Sequence, residues 1–302
     1  MEYAQLTPGR RFAPLHSLLY YGQRLMTPLP LRRAMICLLR GALRLRHGSG
    51  VELHTAMPQE DAALQDLRRS GYAPLGNLLD EDQCVEIRAY LDDKLLTDRD
   101  RMRARFTLAQ REGDVRVADY QLRDVLACPH ILALANSPAL LGLAARHMGC
   151  KPTISALGLR WSFPVAGNDS PLQAFHRDSE DWRYLKVLVY LTDVDDGAGP
   201  HVYLYGSQHT RAPVRLRFYS DAEIVAAYGE EMLLKATGTR GFCFAVDTAG
   251  IHKGAAPTLK PRLMLQIQYS LLPSYAYRYQ PERYEGSLSL DPYINRLIVR
   301  RR

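Results

Sequence analysis

The amino-acid sequence predicts an α+β protein whose second half is an antiparallel barrel or jelly roll with helices packed on its outside. Two observations carry this. After Lys151 the chain breaks into short β-rich runs, PTISALGLRWSF, YLKVLVYLTDV, GPHVYLYGS, GFCFAVD and RLMLQIQYSLL, separated by Gly, Pro, Asp and Asn. Before it, apolar residues recur at helical spacing. The 47% apolar and 24% charged content of the 302 residues is that of an ordinary soluble globular chain.

The first-half elements have readable ends. PQEDAALQDLRRSG is a helix stopped by Gly71, and YAPLGNLL is a short strand. DEDQCVEIRAYLDDKLL is a helix with Asp80 or Asp82 as its N-cap and Cys84, Ile87, Tyr90 and Leu91 on its apolar face. Residues 97–118 are charged and irregular, a pattern shared by ordered loops, lids and disordered segments. Residues 128–150 are one or two packed helices broken near Ser137-Pro138. The division is an N-terminal extension over 1–57 and a jelly-roll domain over 58–302 with core strands at about 151–273.

The formal net charge of +7 is uneven. Residues 1–50 hold eight arginines, no lysine and one acid, Glu2, and the other 252 residues balance. The body therefore lacks a basic field for nucleic acid. Within the extension, LRRAMICLLRGALRLR (31–46) puts Leu31, Met35, Leu38, Ala42 and Leu45 on one helical face and Arg33, Arg40 and Arg44 on the opposite one. Such a helix either packs its apolar face on the main domain, the commoner arrangement, or rests on an anionic membrane or carrier. The final RLIVRRR is expected to be a solvated tail. No apolar run reaches the ~18 residues that span a bilayer. No signal-peptide pattern opens the chain, and the five scattered cysteines form no C-x-x-C pair. These features suit a cytoplasmic protein, peripheral to a membrane if the leader docks.

QAFHRDSEDW (173–182) raises the functional question. On a strand, residues i and i+2 share a face, so His176 and Asp178 point the same way and Arg177 the other. An imidazole and a carboxylate on one face suit a divalent metal, and one more histidine completes a two-His-one-carboxylate set that leaves positions open on Fe(II). His201, His209 and His252 are the candidates. His252 sits between glycines in DTAGIHKGAAP, and Arg262, ten residues on, opens a barrel strand where it could clamp a carboxylate. His201 and His209 otherwise suit turns or solvent. A surface His–Asp pair is the bland alternative for 176 and 178. Lys186 has an equal claim to an outward strand position, and Trp182 to the core.

In order, FHRDSEDW, YGSQH, GF…DTAGIHKG and PRLMLQIQY resemble the phytanoyl-CoA dioxygenase superfamily of Fe(II)/2-oxoglutarate-dependent oxygenases. The likeness runs over roughly 65–273, with Asp178 two and His252 76 residues after His176, and Arg262 ten after His252. Trp182 after the HxD resembles the ectoine hydroxylase branch. Gln208 departs from the family's usual histidine, and Gly241-Phe242 from its Gly-Asp. The resemblance implies a double-stranded β-helix, cupin-like barrel, with His176, Asp178 and His252 as iron ligands. It implies that Arg262 binds 2-oxoglutarate, with Gln173, Lys186 and Trp182 as further contacts to cosubstrate or substrate. A carboxylate at 178, where related halogenases have a small residue, implies hydroxylation or desaturation rather than halogenation. The implied reaction consumes O₂ and 2-oxoglutarate and yields succinate and CO₂, on a small or lipid-linked substrate in a tailoring pathway. Two other readings differ in class. One is a non-catalytic metal- or ligand-binding jelly roll, which has no need of the arginine; the other is a membrane-peripheral protein served mainly by its leader.

Overall fold

A computed structural model describes residues 2–9, 12–25, 28–48, 58–101, 105–166, 173–179, 181–210 and 217–300. The expected boundary between extension and main domain falls in 49–57, outside the described residues, as does His54. The chain opens with β1 (Glu2–Tyr3), α1 (Pro14–Leu25) and α2 (Leu29–His47). Then follow α3 (Pro58–Ser70), β2 (Tyr72–Asn77), α4 (Glu81–Leu91), β3 (Leu96–Asp98), β4 (Arg105–Phe106) and β5 (Val117–Tyr120). Three helices, α5 (Leu122–Ala127), α6 (Ile131–Ala135) and α7 (Pro138–Met148), lead to β6 (Thr153–Ser162) and β7 (Tyr184–Tyr190). The rest is β8 (His201–Leu204), α8 (Asp221–Tyr228), β9 (Leu233–Ala236), β10 (Phe242–Val246), β11 (His252–Gly254), β12 (Arg262–Ser270) and β13 (Tyr277–Arg278).

Local chemistry sets these ends. Asp80, not Asp82, caps α4: its Oδ1 accepts from Gln83 N at 2.8 Å while Gln83 Oε1 accepts from Asp80 N at 3.1 Å. Ser137 caps α7 with Pro138 in its first turn. Gly71 ends α3 at φ +83°, and a Cβ there would overlap the Tyr203 hydroxyl. Within 97–118, the described residues of the charged stretch add β3, β4 and the start of β5 to the sheet edge, with Arg99 and Arg160 paired to Asp119.

Two sheets build the jelly roll. The larger has eight strands in the order β2-β10-β7-β12-β6-β5-β3-β4, and the smaller has three in the order β11-β8-β9. Alternation divides the large sheet's side chains between two cores. Leu185, Val187 and Val189 of β7, Cys243 and Ala245 of β10, and Leu263, Leu265 and Ile267 of β12 join α3 to α7 in the main core. The intervening Leu188, Tyr190, Phe244, Val246 and Met264 form a second core on the other face. Lys186 and Arg262 fall on this second face, which the smaller sheet covers. On β8, Val202 and Leu204 pack with Ile224 of α8, so His201 and Tyr203 point the opposite way.

The termini depart from expectation. In α2, Ile36 and Leu43 pack on the main core, whereas Leu31, Leu38 and Leu45 are 56%, 69% and 92% exposed. The packed stripe is thus not the one that Leu31, Leu38 and Leu45 define. The C-terminal stretch is no free tail over its described length: Ile298 is buried, and Val299 bridges Glu282 in register.

Candidate metal centre

His176 and His252 meet as an isolated antiparallel bridge, each backbone N–H donating to the other's carbonyl at 2.9 Å. Facing residues of such a pair put their side chains on one side, and the two rings lie 4.5 Å apart. Asp178 N donates to Thr248 O at 3.0 Å, which carries the carboxylate to the same side. One ligand atom from each of the three lies within 4.8 Å of the others. Asp178 Oδ1 is 3.4 Å from His176 Nε2, and its Oδ2 is 3.5 Å from His252 Nε2. Each Nδ1 bonds a backbone carbonyl: Ala174 O at 2.9 Å from His176 and Gly250 O at 3.0 Å from His252. A neutral imidazole donating from Nδ1 keeps its Nε2 lone pair for a metal. The donor set therefore fits a divalent ion.

The charges fit as well. Burial pushes Asp178 up, but the Lys186 ammonium and the His252 and His176 rings beside it hold it well below the usual carboxylate range. Burial lowers the His252 imidazole and outweighs the pull of Asp178. Burial also acts to lower His176, and there the hydrogen bond and charge of Asp178 prevail and raise it.

Lys186 is not an outward lysine. Its Nζ donates to Asp178 Oδ2 at 2.6 Å from inside the barrel, and both side chains are about a tenth exposed. We expect Lys186→Met to destabilise the metal-free protein by about 3–5 kcal/mol, since it strands a buried carboxylate. Ni(II) should recover much of that loss by neutralising Asp178 in its place. Urea unfolding with and without Ni(II) checks this; equal losses in both states would detach Lys186 from the carboxylate's charge.

Arg262 enters the same interior from β12. It is 4% exposed, and its Nη2 lies 3.3 Å from where a Cβ on Gly254 would stand, two residues past His252. Nη2 donates to Ser162 Oγ at 3.4 Å, but Nε and Nη1 are buried without a partner. A buried guanidinium with donors to spare fits a bound carboxylate.

His201 corrects the expectation of a turn or solvent position. It is 6% exposed, its ring stacks on His252 at 5.4 Å, and its Nε2 is buried without a partner. Strand alternation from Tyr203 could have placed it inside. His209 is exposed at the end of a turn and contacts Arg68 O. Gln208, the departure in YGSQH, ties that turn to the end of α3 by donating to Leu67 O at 3.2 Å. Phe218, half exposed, lies 5.9 Å from the His176 ring at the rim. Trp182 packs on the main core with Arg32 5.2 Å over its ring, and Gln173 is half-buried at the head of the site loop. Between Ser179 and Trp182, Glu180 lies outside the described residues.

Asp181, which sequence reasoning missed, is fully buried in the same loop as Asp178. Its Oδ1 accepts from Trp182 N at 2.7 Å and its Oδ2 from Leu272 N at 2.8 Å. Burial nevertheless pushes its carboxyl up to about 8. The folded state then holds a proton that the unfolded chain releases near pH 4. This stabilisation is present in full below pH ~4 and gone above about 8. Stability should therefore fall from pH 5 to 8, and Asp181→Asn should flatten that slope in urea unfolding; an unchanged slope would assign it to other groups.

A family model described as phytanoyl-CoA dioxygenase (PhyH) matches residues 67–264. No curated protein matches. Among solved structures, the epimerase SnoN in complex with Fe3+, alpha ketoglutarate and nogalamycin RO is 19% identical, over 78% of this chain and 97% of its own, at a TM-score of 0.51. HygX from Streptomyces hygroscopicus with nickel and 2-oxoglutarate bound is 16% identical over 76% and 95%, at 0.51. EctD from S. alaskensis with bound Fe is 17% identical over 83% and 90%, at 0.51.

Proposed function

We infer that this chain, which belongs to the phytanoyl-CoA dioxygenase family of Fe(II)/2-oxoglutarate-dependent oxygenases, hydroxylates an aliphatic C–H of a small or lipid- or carrier-linked substrate in a tailoring pathway. One observation carries the reading. Three ligand atoms converge within 4.8 Å, and in the same interior a buried arginine offers two unpartnered donors to a dicarboxylate. A metal-binding scaffold would need the first feature and not the second.

In this proposal His176, Asp178 and His252 hold Fe(II), and Arg262 binds the distal carboxylate of 2-oxoglutarate. When bound, iron with 2-oxoglutarate and O₂ supplies the oxidant, and 2-oxoglutarate leaves as succinate and CO₂. The chain's own groups do the rest. Ala174 O and Gly250 O fix the imidazole tautomers, and Lys186 orients Asp178. Leu188, Phe244 and Met264 line a dry interior. Gln173 and Trp182 remain proposed contacts for cosubstrate or substrate, Trp182 through the rim. The catalytic unit is the domain over 58–302, with 1–57 as its extension. That SnoN binds nogalamycin RO supports a small organic substrate here.

Protein supplied with Fe(II), ascorbate and 2-oxoglutarate should release succinate slowly without substrate, and a true substrate should gain one oxygen by mass spectrometry. No succinate from protein shown to hold Fe(II) would overturn the oxygenase reading.

A further inference from the structure

We propose that α1 and α2 form a docking surface for an anionic phospholipid bilayer. The inference does not depend on the chemistry of the metal centre. Thirteen large apolar side chains are exposed among the described residues, and seven lie on these two helices: Leu15, Leu18, Tyr21 and Leu25, then Leu31, Leu38 and Leu45. At 100° per residue the first four share one face of α1, and the last three, seven residues apart, form one line along α2. Packing accounts for neither face. α2 already docks through Ile36 and Leu43, and Gln23 is the buried residue of α1. No helix in the described residues is long and apolar enough to cross a membrane.

Charge selects the occupant. Neither helix contains an acid, and at 100° per residue the exposed Arg44 and Arg46 of α2 stand about 100° to either side of Leu45, flanking the leucine line. A second copy set face to face would bring arginines against arginines. A surface of lipid phosphates meets the arginines with opposite charge and takes the leucines among its acyl chains.

The surface is also fastened to the site. Arg32 of α2 donates to Asp181 O at 3.3 Å and to Gln23 O at 2.8 Å, and Gln23 Nε2 donates to Asp181 Oδ1 at 3.5 Å. Asp181 lies three residues beyond Asp178 in the same loop. Docking would therefore hold the metal-site loop next to the lipid surface.

The test is co-sedimentation of the full chain with phosphatidylglycerol/phosphatidylcholine vesicles and with phosphatidylcholine alone. We expect binding to the anionic vesicles that weakens about tenfold or more between 0.05 and 0.5 M NaCl, and little binding to phosphatidylcholine. Leu38→Ser with Leu45→Ser should weaken binding at least tenfold, Arg44→Gln with Arg46→Gln should reduce its salt dependence, and Leu259→Ser, exposed elsewhere, should leave it unchanged. Unchanged thermal unfolding and vesicle-free succinate release would show that the variants fold. Absence of binding to anionic vesicles at low salt, or full binding by the leucine variant, overturns the proposal. A dimer in solution that Leu38→Ser dissolves would reassign the face to a second copy and overturn it equally.

Discussion

His252→Ala protein should take up no stoichiometric Fe(II) and release succinate at less than about a hundredth of the wild-type rate. That floor follows because groups that merely support a ligand already cost 10–100-fold when removed. The ring has no substitute nearby. His176 and Asp178 would supply two ligands, and His201, although stacked on His252, extends from β8 without joining the convergent group. A readout apart from turnover is the thermal shift with Ni(II). At about a hundred times its Kd, a ligand that binds only the folded state adds about 2.7 kcal/mol; His252→Ala should lose that increment. In the wild type, uptake should weaken as pH falls, because Asp178 raises the affinity of His176 for a proton that must leave before metal binds. Retained Ni(II) stabilisation in His252→Ala, or a wild-type affinity flat from pH 5 to 8, would remove His252 or His176 from the ligand set.

Much of this centre is legible in sequence because it rests on strand geometry. Period-two alternation places His176 with Asp178, and the short runs after Lys151 mark the sheets. Yet His176 sits in an isolated bridge rather than a strand, paired across 76 residues to His252. No local pattern shows such a pairing. The same limit hid Lys186 and His201. β7 is buried on both faces, so its sequence reads as a continuous apolar run in which a lysine could point either way. Only the division of β7 between two cores shows that Lys186 faces the barrel. In α2 the error has another source. The segment carries two apolar stripes, Leu31-Leu38-Leu45 and Ile36-Leu43, and a helical wheel does not say which one the domain accepts. The domain accepts the stripe that brings Arg32 onto Asp181. Asp181 was itself invisible as a buried group, because its three charged neighbours in HRDSED read as a solvated loop.

Arg262→Met should raise the KM for 2-oxoglutarate by at least about 30-fold and leave Ni(II) affinity unchanged. Truncating one partner of a buried charged hydrogen-bonded pair costs about 2–5 kcal/mol, which sets that range. Arg262→Lys should rescue little, because it keeps the charge but loses the fork. The less obvious expectation concerns stability. Without cosubstrate, no acid among the described residues pairs with Arg262, and two of its donors are buried without partners. Burial pulls even this guanidinium below its usual value. Such a group costs stability that only its ligand returns. Metal- and cosubstrate-free Arg262→Met should therefore unfold at the same or a higher urea concentration than wild type, while 2-oxoglutarate should stabilise the wild type alone. A structural arginine would behave the other way, destabilising the free protein on removal and leaving the KM nearly unchanged. The two measurements separate a residue kept for packing from one whose buried charge awaits a carboxylate.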